Sequence, residues 1–184
     1  TGSQDAYTKA FILFVLPHGL LAMSIATTFM PEMTRAVLAK NRDRFVDRSS
    51  LSIRLVAMLT IPAGFGLFAL RRSIIAACFQ WGRFDTAGTL RTSRALAGFA
   101  LGLGAFSLYL IVLRAFYAHH DARTPFVINV VENLINIVLA FALYQRYGVL
   151  GLGASFAVAY ALAAVLGLKV LTYKLPGYPL PPIW

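Results

Sequence analysis

The chain has 184 residues, 59% of them hydrophobic and 13% charged, with 17 Lys and Arg against 7 Asp and Glu for a formal net charge of +10. Soluble domains lie nearer ~45–50% apolar and ~25% charged, and a globule of this size has no core large enough to hide the surplus. A water-soluble fold is excluded on that ground. The basic excess clusters between apolar runs, where anionic headgroups lie, so it points to a bilayer and not to nucleic acid.

Stretches free of Asp, Glu, Lys and Arg cover 10–31, 55–70, 95–113 and 147–168, and the stretch 124–145 carries one charge, Glu132. Crossing hydrocarbon takes roughly 20 apolar residues. The expected fold is therefore all-α, a polytopic membrane bundle of about five transmembrane helices plus a short interfacial helix.

The first span is predicted over 7–34, kinked near its middle by Pro17 ahead of His18 and Gly19. Such a break at membrane depth is tolerated where protein or a wet cavity satisfies the freed backbone. A polar loop over 35–50 follows. The second span, 51–70, is expected to bend or end near Pro62, Gly64 and Gly66. Arg71 and Arg72 then open an apolar stretch over 73–81 that reads as the interfacial helix, with Gln80, Trp81 and Arg83 at headgroup level. Asp85 and Thr86 suit the N-cap of a third span over 86–117. Thr124 as N-cap and Pro125 at the first helical position open a fourth over 124–145. A tight turn at 148–151 leads into a fifth, 149–173.

Alternating these spans puts nine Lys and Arg on the side of loop 35–50 and seven on the other, which favours that loop as cytoplasmic. Gly151, Ser155, Ala159, Ala163 and Gly167 form a ladder of small residues along the fifth span, and Gly98 and Gly102 do the same on the third. Cys78 is alone, so no internal disulfide or thiol metal site is expected. The chain opens at Thr1 without an initiator Met and closes in a proline-rich segment, 176–184, that reads as a connection onward; both ends look like cuts in a longer protein.

The fourth span holds the most informative constellation. Asn129, Glu132, Asn133 and Asn136 are spaced i, i+3, i+4 and i+7, within about 100° of one helical face. A carboxylate and three amides cannot face lipid cheaply, so the ridge should look into the bundle or a wet cavity. There it could touch a polar substrate, bind a cation or exchange a proton through Glu132; the alternative is interhelical hydrogen bonding alone. Arg54 in the second span could meet an anionic headgroup, or snorkel to the interface. Arg114 has the same two readings. His119, His120 and Asp121 lack a third ligand at a matching spacing, so no metal site is expected, and His18 reads as a satisfied bundle histidine. Glycine phosphate loops, nucleophile elbows and zinc motifs are all missing, which argues against an enzyme.

Three segments together resemble the MurJ/MviN family of lipid II flippases, in the multidrug/oligosaccharidyl-lipid/polysaccharide exporter superfamily. They are Leu16-Pro17-His18-Gly19 with Met30-Pro31, Phe79-Gln80-Trp81-Gly82-Arg83-Phe84-Asp85, and Arg114-Ala115-Phe116-Tyr117-Ala118 followed by Asp121-Ala122-Arg123-Thr124-Pro125. The resemblance marks Arg83, Asp85, Asp121, Arg123 and Pro125 as motif loop residues. It implies about spans 8–12 of a two-lobed transporter in the bacterial cytoplasmic membrane. That transporter would move an undecaprenyl-pyrophosphate-linked peptidoglycan precursor by alternating access. Its partners would be that lipid, the bilayer, the N-terminal lobe of the same chain and cell-wall synthesis proteins. No cofactor is implied; coupling would be to membrane potential, H+ or Na+. Two departures stand out. Phe11, Ile12 and Val15 occupy positions where family members carry charged cavity residues. Ala140, one turn beyond Asn136, replaces an acid that some members use for sodium. Alternatives are another polysaccharide-lipid or drug exporter of the superfamily, or a non-transporting scaffold for cell-wall synthesis.

Overall fold

A computed structural model describes residues 2–79 and 86–174, and every element it shows there is helical. The elements are α1 (Gly2–Pro17), α2 (Ser24–Leu38), α3 (Arg42–Phe79), α4 (Thr86–Ala118), α5 (Arg123–Tyr147) and α6 (Val149–Lys174), with a π-helical stretch, His18–Met23, joining α1 to α2. Counting α1, the π segment and α2 as one unit gives five helices long and apolar enough to cross a membrane. The all-α polytopic bundle expected from run lengths is the fold observed.

α4 is the hub. It packs against α6, α3, α1 and α2, whereas α5 leans almost wholly on α6. Two apolar clusters lie along it. One gathers Leu96, Phe99, Ala100 and Leu103 with Phe14 of α1 and Ile75 of α3; the other gathers Ile111, Val112 and Phe116 with Ala26 and Met33 of α2 and Phe45 and Val56 of α3. An aromatic seam runs between them. Phe14 meets Phe99 at 5.5 Å and Phe106 at 5.4 Å, and Tyr160 meets Phe106 at 4.9 Å and Tyr109 at 5.5 Å, so rings from α1, α4 and α6 interlock.

Small residues set the α4–α6 distance. A β-carbon built on Gly98 would stand 2.6 Å from Ala154 N and Gly153 C, and one on Gly153 would stand 2.8 Å from Ala95 O. The two backbones touch there, as close-packed membrane helices do. Gly98 and Gly102 thus act as expected, and Gly153, which the ladder omitted, is the opposing contact.

Pro17 does disturb its helix. It lacks an N–H, and the chain widens into the π turn immediately after it instead of breaking. His18 at the start of that turn is buried, with Nδ1 3.0 Å from Ser107 Oγ of α4, as a satisfied bundle histidine should be.

Three sequence-based boundaries are corrected. The polar loop 35–50 shrinks to Ala39, Lys40 and Asn41, because Asn41 Oδ1 accepts from the Arg44 N–H at 3.0 Å and caps α3 early. The second span does not end at Pro62, and residues 73–79 of the expected interfacial helix over 73–81 belong to α3 instead of standing apart. α3 continues to Phe79, since Ile75 extends its buried face and Arg71 folds back onto the Phe68 carbonyl and ring. Gln80, Trp81, Arg83 and Asp85 lie outside the described residues, as does the segment 176–184. Finally, Thr124 is not the cap of α5. Asp121 Oδ1 accepts from the Thr124 N–H at 3.1 Å, and Pro125 sits buried two residues past the first, Arg123.

The α2–α3 and α4–α5 turns share one construction. Lys40 (φ 52) and His120 (φ 56) adopt left-handed backbone, and the N–H of the next residue reaches back five positions, Asn41 to Ala36 O at 2.9 Å and Asp121 to Phe116 O at 3.1 Å. Each is a Schellman-type stop followed at once by a side-chain cap on the next helix.

Candidate functional site on the fourth span

α5 begins at the Asp121 cap and ends at Gly148, whose positive φ of 59 turns the chain into α6. The two helices therefore run antiparallel in contact, and the polar ridge of α5 is offered to α6 and α4.

The structure brings that ridge together unevenly. Asn129 Oδ1 accepts from the Tyr109 hydroxyl of α4 at 2.7 Å. Asn136 Oδ1 accepts from Ser155 Oγ of α6 at 3.1 Å. Glu132, between them, is only 1% exposed. Asn133 is exposed, yet its amide Nδ2 donates both to the Asn129 carbonyl at 2.9 Å and to Glu132 Oε2 at 3.1 Å. The inward orientation inferred from spacing holds for Asn129, Glu132 and Asn136; Asn133 marks the open edge of the ridge. Its exposure follows from the packing, because α5 touches little besides α6.

Glu132 stands apart among these groups. Its Oε1 has no hydrogen-bond partner, and no ion pair among the described residues includes it. Among the described residues, Tyr109 and Tyr160, whose rings meet at 5.5 Å, lie near it.

Beside the ridge an open cleft of about 710 Å³ is lined by Gln4 and Tyr7 of α1, Asn136, Ile137, Ala140 and Tyr144 of α5, and Leu152 and Ser155 of α6. Asn136 supplies it with an amide and Ser155 with a hydroxyl, while Ala140 is mute. Among the described residues no group of three or more His, Cys, Asp or Glu side chains could hold a metal.

The other candidates lie elsewhere. Arg54 is exposed on α3, about three turns into a helix that shares no substantial interface with α5. It lies that far in because α3 starts earlier than the apolar run. Phe11, Ile12 and Val15 of α1 form an exposed apolar surface. His119 packs edge-on against Phe45 at 4.4 Å. Asp121 is the anchor of its motif: Lys174 Nζ at the end of α6 donates to Oδ2, and Thr124 Oγ1 donates to the same oxygen at 2.7 Å. Those two donors, Lys174 first, hold the Asp121 carboxyl well below the usual range. Arg123 is exposed beside it. A capping role for Asp121 was readable from its place before a helix; its bond to Lys174, 53 residues on, was not.

Comparison with known proteins covers nearly the whole chain. The family profile described as "Lipid II flippase MurJ" matches residues 1–183. A relative from Rhizobium meliloti, named a probable lipid II flippase MurJ, is 27% identical over 94% of this chain and 32% of its own length. One from Thermosipho africanus, named lipid II flippase MurJ, is 28% identical over 91% of this chain and 33% of its own. One from Vibrio cholerae, a probable lipid II flippase MurJ, is 30% identical over 93% and 32%. A solved structure titled lipid II flippase MurJ in an inward closed conformation superposes with a TM-score of 0.86 at 26% identity, over 94% of this chain and 36% of that one. The chain spans about a third of the length of the curated relatives it matches.

Proposed function

This chain belongs to the lipid II flippase MurJ family, and from that membership we propose that it supplies about five spans of one lobe of a transporter. That transporter moves undecaprenyl-pyrophosphate-linked peptidoglycan precursor across the bacterial cytoplasmic membrane. The observation that carries the reading is the match over residues 1–183 joined to a 0.86 TM-score against a flippase of that name. The helices themselves add a reason: α5 turns the Asn136 amide toward an open cleft, while much of its exposed surface is Val, Ile, Leu and Phe. In hydrocarbon, such polar surface is retained where a polar cargo or ion passes.

On this reading the precursor's pyrophosphate meets basic side chains contributed mostly by the other lobe, with Arg54 assisting. Asn129, Glu132, Asn133 and Asn136 border the moving cavity. Drive comes from membrane potential or a cation gradient. The turn at Ala39–Asn41 faces the cytoplasm, where cell-wall synthesis proteins could dock.

Depleting the full-length protein should make lipid II accumulate in the inner leaflet, and Arg54→Ala or Glu132→Gln in that protein should impair growth. Accumulation of a different lipid carrier would transfer the protein to another exporter class. A second reading, a membrane scaffold that recruits cell-wall enzymes without transport, is favoured by one observation: Phe11, Ile12 and Val15 present only apolar surface on α1. Growth rescue by a protein unable to move lipid II would support it.

A further inference from the structure

We propose that Glu132 is a proton-binding site of this membrane protein, held as the neutral acid at rest and exchanging its proton through the open edge marked by Asn133. The proposal rests on the transporter reading and names the ion that such a transporter would use at this place.

Glu132 is 1% exposed in the middle of a membrane helix, so its ionised form would be a bare charge in a low-dielectric setting. No lysine, arginine or histidine pairs with it among the described residues. The groups near it among the described residues are weak acids and an amide: Tyr109 from α4, Tyr160 from α6, and Asn133 from α5 itself. None of these neutralises an anion.

The hydrogen bonding suits the neutral form. Oε2 accepts from Asn133 Nδ2 at 3.1 Å, as it does in either form, while Oε1 is left without a partner; orphaning an uncharged oxygen there costs far less than orphaning half of a carboxylate. A carboxylate would need donors at both oxygens.

The proposed exchange route runs past Asn133, which is exposed and bonded to the carboxyl at Oε2; the step needs that amide to swing aside and water to reach the carboxyl. In the step, Oε1–H gives its proton to a water there and the carboxyl goes from neutral to −1. The reverse step takes a proton from water and restores neutrality; no bond between heavier atoms changes. Opening that face would favour release by hydrating the anion, and closing it would favour uptake. Cargo movement that opens and closes it is thereby tied to proton movement. A metal cation wants about six oxygen ligands, more than Glu132 and the Asn129 and Asn136 side-chain oxygens, each of which also accepts a hydrogen bond from Tyr109 or Ser155, supply here.

The test uses the full-length protein that contains these residues. Dicyclohexylcarbodiimide, an apolar reagent that adds to protonated carboxyls, is applied from about pH 5 to about pH 9, spanning well above the ordinary carboxylate value of about 4. Labelling is then located by peptide mass spectrometry. Glu132 should be labelled at neutral pH, with the rate falling tenfold per unit only above its own titration point. In proteoliposomes carrying a trapped pH dye, proton movement should follow addition of lipid II and disappear in Glu132→Gln, which copies the shape of the neutral acid. Glu132→Asp should restore it. A Glu132 that resists the reagent at neutral pH but reacts in acid, or transport that needs Na+ and ignores pH, would overturn the proposal. Failure of the flippase reading shows differently, as neutral-pH labelling intact with no lipid II accumulating on depletion.

Discussion

Replacing Gly98 by alanine puts the α4–α6 crossing under the most direct strain. The new β-carbon would meet Ala154 N and Gly153 C at 2.6 Å, about 1 Å inside the ~3.5–4.0 Å of a relaxed contact. Those opposing atoms are backbone, so no rotamer change makes room. Relief requires the helices to part by about that distance, and a gap of ~0.5–1 Å already forfeits a quarter to a half of each dispersion contact. Overpacking of a tight interior costs ~1–3 kcal/mol, and a crossing of two glycines belongs at the upper end. Helix propensity pulls the other way by ~1 kcal/mol in favour of alanine. Gly66→Ala isolates that opposing effect, because nothing lies within 4 Å of its added β-carbon. Thermal unfolding of the full-length protein in detergent, followed by fluorescence-detected size exclusion, reads both variants. Gly98→Ala should melt well below the parent and Gly66→Ala at or above it. Equal melting of the two would refute backbone contact as what closes this crossing.

Two further outcomes follow from the turns. Asp121 has its folded-state pKa depressed by Lys174 and Thr124, so its contribution is present above the unfolded carboxylate value of about 4 and is lost as pH falls through the lower folded value. Asp121→Asn should therefore lower the melting temperature at neutral pH by the equivalent of under ~1 kcal/mol, since the pair is solvent-screened, and the deficit should fade in strong acid; a deficit independent of pH would count against the ion pair. Lys40→Gly and His120→Gly, at φ 52 and 56, should each raise stability by about 0.5–1 kcal/mol by removing the left-handed penalty of a β-carbon, measured as a shift in denaturation midpoint. An unchanged or lower midpoint would mean that the side chains contribute more than their backbones cost.

What could be read from the residues alone depended on how local the signal was. The uncharged run 95–113 placed α4, and Thr86 lay at its start, because length and hydropathy decide insertion without reference to any neighbour. The ridge on α5 was legible for the same reason: a helical period is a property of one segment. Where neighbours decide, the reading fell short. Arg71 and Arg72 looked like an interface, yet α3 runs through them because Ile75 finds a buried place and Arg71 caps onto Phe68. Asn41 was hidden among charges, though it starts that helix. Gly153 lay off the four-residue ladder, and its role is defined only by Gly98 opposite. The seam of Phe14, Phe99, Phe106 and Tyr160 draws on three segments far apart in the chain.

The central position of α4 carries a consequence for biosynthesis. Everything before residue 86 leaves the ribosome while the helix it docks on is still unmade. At ~5–20 residues per second, the 33 residues of α4 take roughly 2–7 s to appear. During that wait α2 and α3 have each other, through their short turn and the Arg48–Glu32 ion pair at 3.1 Å, while the face that Phe14 will turn to Phe99 and Phe106 of α4 is still unmatched. Nascent intermediates arrested just short of residue 86 should thus hold a paired α2–α3 hairpin whose α1 end still lacks its α4 partner, the state in which quality-control proteases would find this protein easiest to grip.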